Sequence, residues 1–295
     1  MAAAQSAMTD PSEIGALTRV VVKHPRDAFR DMDRVAREWR ALNFTAPPDL
    51  PRALDEYEQF LDVLRQTGAS IDMLPDVEGA GLDSLYTRDA SVVTPRGMVI
   101  ASMGKPARAN EPALQEQAFE QWGIPVVGRI VPPGRLEGGD VVWLDARTVA
   151  VGRGYRTNAE GIRQLAELLG EEIECVEVPL PHWRGPGDVF HLMSILSPID
   201  ARLALHYAPL MPVPFRERLI AMGYDLVDVP DAEFESMGAN VLALAPRKCL
   251  ALDDNPETRR RLEAAGAKVM VYAGTEISVK GGGGPTCLTR PITRA

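Results

Sequence analysis

The sequence is poor in the residues that usually build disulfide and metal sites. Its 295 residues include three cysteines, Cys175, Cys249 and Cys287, and four histidines, His24, His182, His191 and His206. The cysteines are odd in number and form no CxxC or Cys/His cluster, so neither a disulfide framework nor a zinc site is indicated. Long apolar runs are missing too. No stretch approaches the roughly 18–20 uninterrupted apolar residues of a membrane helix, and the opening MAAAQSAMTDPSE lacks the basic start and apolar run of a signal peptide. A cytoplasmic location without a membrane partner is expected. Nor is there an excess of positive charge: 32 Lys and Arg against 41 Asp and Glu give a net charge of −9, with the basic residues scattered. That disfavours a nucleic-acid partner and suits a small cationic one.

What the chain does have is an ordinary globular composition, 45% hydrophobic and 25% charged, and a repeating pattern of short apolar strands and amphipathic helices. The clearest copy runs from Asp140 to Val178, with strands VVWL and TVAVG, the helix AEGIRQLAELLG closed by Gly170, and the strand IECVEVP. Phe190 to Val229 repeats it, as do Asn240 to about Gly274 and, more faintly, Ser91 to Val127. LTRVVVKHP, a helix about Tyr57 to Thr67 and SIDML supply a fifth. Units of this size cannot bury their own faces and must pack on one another. The pattern predicts a single domain over 1–295, a five-bladed α/β propeller of ββαβ-type repeats with pseudo-fivefold symmetry, with residues 1–14 as a flexible tail. A doubly wound sheet would want single strands alternating with helices rather than strands in pairs. The loop after His24-Pro25 is a candidate lid.

The informative residues lie between the repeated elements, where a rigid scaffold presents chemical groups. Cys287 ends a segment containing Gly281 to Gly284. Four glycines carry a conformational cost, and they let backbone amides approach a substrate beside a nucleophilic thiol. A flexible loop before a buried cysteine is the plainer alternative. Cys175 and Cys249 fall inside apolar strand patterns and read as inert. His191 opens a strand pattern and is placed to act as acid and base, or as a structural histidine. Glu137 and Asp140 flank two glycines, a spacing at which both carboxylates can face one pocket or form an acidic turn. Asp89 precedes the strand Ser91 to Val93, as a site residue or a cap. Carboxylates around a thiol favour a cation, and a planar guanidinium is held well by paired carboxylates.

Together and in this order, Tyr86-Thr87-Arg88-Asp89, EGGDV, GRGYRTN, His191-Leu192 and GGGxxCLTRP resemble the guanidino-group-modifying (pentein) superfamily of arginine deiminases, dimethylargininases and amidinotransferases. The match spans about residues 86 to 291. The resemblance implies the five-bladed propeller, no cofactor or metal, a guanidine-type substrate and a homodimer. It also implies roles: Cys287 attacks the guanidinium carbon, His191 handles protons, Glu137 and Asp89 hold guanidinium nitrogens, and Asp140 supports the site. Arg108 and Arg156 would bind a substrate α-carboxylate. The implied reaction passes through a covalent thiouronium and releases a ureido product. Met193 stands two residues after His191 where arginine deiminases carry aspartate, Arg88 precedes Asp89 where dimethylargininases often have an acid, and Gly154 replaces a common serine. Methylated arginine, with citrulline as product, is therefore the first expectation. Free arginine, another amidine-like compound or transfer to an amine are the alternatives.

Overall fold

The computed structural model describes residues 9–188 and 190–295. Fifteen strands form five three-stranded sheets among these residues. Four sheets follow one rule. Two strands joined by a tight turn run antiparallel, and a helix then carries the chain to a third strand parallel to the second. One blade holds β3 (Ser91–Thr94), β4 (Gly97–Ile100), α2 (Glu111–Gln121) and β5 (Val126–Arg129). The next holds β6 (Val141–Asp145), β7 (Thr148–Arg153), α3 (Ala159–Leu169) and β8 (Glu174–Pro179). A third is made of β9 (Leu196–Asp200), β10 (Leu203–His206), α4 (Val213–Ala221) and β11 (Asp225–Asp228). A fourth is made of β12 (Leu242–Ala245), β13 (Lys248–Leu252), α5 (Pro256–Ala264) and β14 (Lys268–Tyr272).

The fifth blade draws on both ends of the chain. β1 (Leu17–Val22) leads through α1 (Leu50–Arg65) to the parallel β2 (Ser70–Met73), and its antiparallel partner is β15 (Arg290–Arg294). The five-bladed α/β propeller is thus the observed fold. α1 is longer than the sequence pattern suggests, because Asp49 caps it by accepting from Arg52 N at 3.0 Å and a proline occupies its first turn.

Burial explains the layering. The first strand of each blade is almost wholly buried, as in β3 and β9, whereas the third strands β2, β5 and β11 alternate toward solvent. The first strands are therefore the inner ones, and β9 packs on β12 and β15 on β3.

Two expectations change. Residues 1–8 of the expected tail lie outside the described residues, but residues 9–14 are not a tail: Asp10 N donates to Ile292 O at 3.0 Å, and Thr9 and Glu13 are buried. The chain after His24-Pro25 is not a loop over the pocket either. It forms the short helices Pro25–Ala28 and Met32–Glu38, of which the first packs on α1.

Candidate active site

Each inner strand is entered through a short irregular segment, and each segment places one polar side chain in a common cleft. Asp89 precedes β3, Glu137 precedes β6, His191 precedes β9, Asn240 precedes β12 and Cys287 precedes β15. All but Glu137 line one pocket, and Glu137, fully buried, supports it from behind through His191. Asp140, Arg108 and Arg156, the remaining residues singled out by sequence, are buried around these five.

Glu137 and His191 form the centre. His191 Nε2 is 2.7 Å from Glu137 Oε2, and its Nδ1 is 3.9 Å from Asp89 Oδ1. Burial pulls the imidazole toward the neutral form, but the charges of Asp89 and Asp140 and the bond to Glu137 outweigh it and hold the group up at about 9. His191 is therefore an imidazolium at neutral pH. Burial opposes the charge on Glu137 as well, yet His191 and Arg156 keep that carboxyl well below its ordinary range. Its second oxygen accepts from Gly104 N at 2.9 Å and Lys105 N at 3.1 Å.

Asp140 does not face the cleft. Its oxygens accept from Leu192 N at 3.0 Å and Thr157 Oγ1 at 2.6 Å, fixing the segment that carries His191. Burial pushes this carboxyl up to about 6. The glycines between Glu137 and Asp140 are required by proximity, since a Cβ on Gly139 would stand 2.7 Å from His191 Nδ1 and 2.8 Å from Asp89 Oδ1.

Cys287 is 8% exposed. Its Sγ lies 3.5 Å from Asn240 Nδ2, a donor, and 3.8 Å from Thr286 Oγ1. Burial, then the charge of Asp89, pushes the thiol up to about 11, so the resting site holds a protonated thiol opposite an imidazolium. The glycines before it have mostly a packing role: a Cβ on Gly283 would meet the Tyr86 ring at 2.5 Å, and one on Gly284 would meet Asn240 Oδ1 at 2.5 Å. Gly282, with φ of +75°, is the one that needs a left-handed backbone. The plainer reading of a flexible loop does not hold, because Tyr86 and Asn240 pack into the space that the missing side chains leave.

Asn240 is the site residue that sequence reasoning missed. Its signal was positional, since it occupies in the fourth repeat the place that Asp89, Glu137, His191 and Cys287 take in the others. Asn240 Oδ1 accepts from Thr286 N at 3.0 Å and Thr286 Oγ1 at 2.9 Å. Asn240→Ala strands both donors, and a loss of about 1–3 kcal/mol in stability is expected, measured by the urea midpoint.

The two arginines differ. Arg108 grips Glu111 with two bonds, at 3.0 and 2.7 Å, reaches Asp89 Oδ2 at 2.5 Å and donates to Tyr86 O at 2.8 Å. Two carboxylates already surround it, so a substrate carboxylate placed there would meet like charge. Arg108 also lines the pocket and braces Asp89 and Glu111. Among the described residues the Arg156 side chain makes only long bonds, 3.3 Å to Glu137 Oε2 and 3.3 Å to Asp188 O, and lines the pocket. Farther out the pocket is lined by Asp83, which pairs with Lys105, and by Trp183, Phe190, Met193 and Phe234. Asp89, Glu137 and His191 each offer a ligand atom within 4.8 Å of the others, the one such cluster among the described residues. The hydrogen bond between His191 and Glu137, the charge contact of His191 with Asp89 and the bonds from Arg108 and Arg156 already account for the arrangement.

Cys249 and Cys175 are elsewhere, in β13 and β8. Burial raises both thiols, to about 12 and about 11. No helix among the described residues is long and apolar enough to cross a membrane.

The sequence profile of the family described as N,N dimethylarginine dimethylhydrolase, eukaryotic, matches residues 48–294. An arginine deiminase of Listeria welshimeri is 30% identical over 260 residues, covering 72% of this chain; the chain spans 62% of that relative's length. Among solved structures, DDAH from Pseudomonas aeruginosa, a cysteine-to-serine mutant complexed with citrulline, gives a TM-score of 0.75 at 22% identity, covering 95% of this chain and all of that one. SxtG, an amidinotransferase from Microseira wollei in a saxitoxin biosynthetic pathway, gives 0.79 at 17% identity, covering 98% of both chains.

Proposed function

We propose, on the premise that this chain belongs to the N,N dimethylarginine dimethylhydrolase family, that it hydrolyses a C–N bond of a guanidine and that methylated arginine is its first-choice substrate. The observation that carries the reading is the convergence of a thiol, an imidazolium and two buried carboxylates from four separate blades: Cys287, His191, Glu137 and Asp89. A thiol alone suits many electrophiles. Buried carboxylates beside it select a cation.

In this account the guanidinium settles against Asp89 in the pocket, and Arg156 receives the α-carboxylate, a task suited to its planar fork and loosely held position. The incoming positive charge counters Asp89, one of the two causes that keep the Cys287 thiol protonated, and the thiol gives up its proton to solvent. The thiolate forms a C–S bond to the guanidinium carbon. His191, charged at rest, donates its proton to the departing nitrogen as the C–N bond breaks, and an amine leaves. A thiouronium remains on Cys287, and His191 is now neutral. It takes a proton from water as the water oxygen bonds to the carbon, the C–S bond breaks, and the ureido product departs. The Cys287 thiolate takes up the hydroxyl proton released as the C=O bond forms, and His191 keeps the proton it drew from water. Glu137 steadies the imidazolium throughout.

Purified protein given asymmetric dimethylarginine is expected to release citrulline and dimethylamine in equal amounts without any added amine acceptor. Ammonia from free arginine at a higher kcat/KM would make it a deiminase instead. A product seen only when an acceptor amine is present would make it an amidinotransferase. No ureido or transfer product from any guanidine would overturn the reading.

A further inference from the structure

Next to the site along β15 lies a group of arginines for which the reaction has no use. Arg88, Arg290 and Arg294 are 1%, 2% and 6% exposed. Arg88 Nε donates to Thr286 O at 3.1 Å and its Nη1 to Glu13 Oε2 at 3.3 Å. Arg290 Nη2 donates to the Arg88 carbonyl, and Arg294 Nη1 donates to Gly15 O at 2.7 Å and Ala243 O at 2.8 Å. Four donors are left over: Arg88 Nη2, Arg290 Nε, and Arg294 Nε and Nη2 are buried without a hydrogen-bond partner among the described residues.

The charges are as unbalanced as the hydrogen bonds. Glu13 is the one carboxylate in ion-pair contact with these three guanidinium groups among the described residues. Burial, and the nearness of Arg88, act against the charge on Arg290 and Arg294 and outweigh the help of Glu13 to both, of Asp89 to Arg290 and of Asp10 to Arg294. Arginine does not relieve this by losing a proton. Water would satisfy the stray N–H groups and leave the charge in place, whereas a monovalent anion does both.

We propose that the buried cluster of Arg88, Arg290 and Arg294 is a binding site for a small monovalent inorganic anion, with chloride as its natural occupant. The occupant has a structural consequence. Arg88 N donates to Cys287 O at 3.2 Å, Arg88 lies next to Asp89 in sequence, and a Cβ on Gly138 would stand 2.2 Å from Arg88 O and 2.5 Å from Arg290 Nη2. The cluster therefore ties together the segments that carry Asp89, Glu137 and Cys287, and an anion holds it together by cancelling repulsion.

The test needs neither substrate nor turnover. Crystals of the full chain grown in sodium bromide should show an anomalous peak within hydrogen-bond reach of Arg88 Nη2 and of a stray nitrogen of Arg290 or Arg294; ordinary water density there without anomalous signal overturns the proposal. In solution at constant ionic strength, replacing gluconate by chloride should raise Tm by a few degrees, saturating below about 0.15 M, physiological ionic strength. Equal Tm values in the two salts would overturn it as well. Arg290→Met should lose the chloride response if it folds, and an unchanged response in that variant would show that the anion sits elsewhere.

Discussion

Cys287→Ala is expected to lower turnover by at least about 10⁴-fold, as expected for loss of an activated nucleophile that acts as one unit with its acid-base partner. The fold should survive. Among the described residues the only polar contacts of Sγ are the long ones to Asn240 and Thr286, and Asn240 stays fixed by its two bonds from Thr286, so the stability change should be under about 2 kcal/mol. Circular dichroism and thermal melting check the fold while a product assay checks the rate. The same thiol should distinguish alkylating agents. With Cys287 pushed up to about 11, iodoacetamide at pH 7 should react slowly and speed up steadily toward high pH. A cationic haloamidine, carrying its own positive charge to Asp89, should react far faster at pH 7, and neither reagent should label the variant at this site.

Glu137→Gln is the second change with a large expected effect. Glutamine keeps an acceptor for the Gly104 and Lys105 amides but removes the charge that faces both His191 and Arg156. Leaving two buried cations without that partner should cost about 3–5 kcal/mol. His191 is charged in the folded protein up to about pH 9 against an ordinary value of 6.5. A raised histidine adds stability that is fully present below about pH 6.5 and lost as pH rises through about 9. The destabilisation by Glu137→Gln should therefore be larger at pH 6 than at pH 9.5. Turnover should fall about 10²–10⁴-fold, with the alkaline limb of the pH profile moved to lower pH as the imidazolium loses its partner. A variant whose alkaline limb stays in place would show that His191 does not depend on Glu137.

The propeller was legible because each helical copy is locally punctuated. Asn158 accepts from Gly161 N at 2.8 Å and Gly170 takes a positive φ, so α3 announces both of its ends. β15 was not legible. RPITR carries a proline and two arginines, follows no helix of its own, and gains its strand by pairing with β1 almost the whole chain away. Such non-local pairing leaves little trace in a local pattern. Residues 9–14 read as a tail for the same reason, since their order comes from distant partners such as Ile292 and Arg88.

The site was legible in four of its five wedges, because glycine, acid, histidine and cysteine are conspicuous at strand entries. Asn240 was hidden at the start of an apolar run, where only the repeat position marks it. The partners of Arg108 could not be foreseen either. That Glu111, three residues away in the chain, and Asp89, nineteen residues away, both reach it depends on how the turn Pro106–Arg108 is folded against the Asp89 segment.

The central claim is that the reacting carbon becomes bonded to Cys287. Acid-quenched protein, taken within milliseconds of mixing with methylated arginine or S-methylthiocitrulline and digested, should yield a peptide containing Cys287 heavier by the thiouronium fragment. With S-methylthiocitrulline, whose thiol leaving group departs without a proton from His191, His191→Gly should accumulate that adduct, because it removes the base that lets water discharge it. Citrulline formed at full rate with Cys287 unmodified in every quench, and retained by Cys287→Ala, would contradict the account.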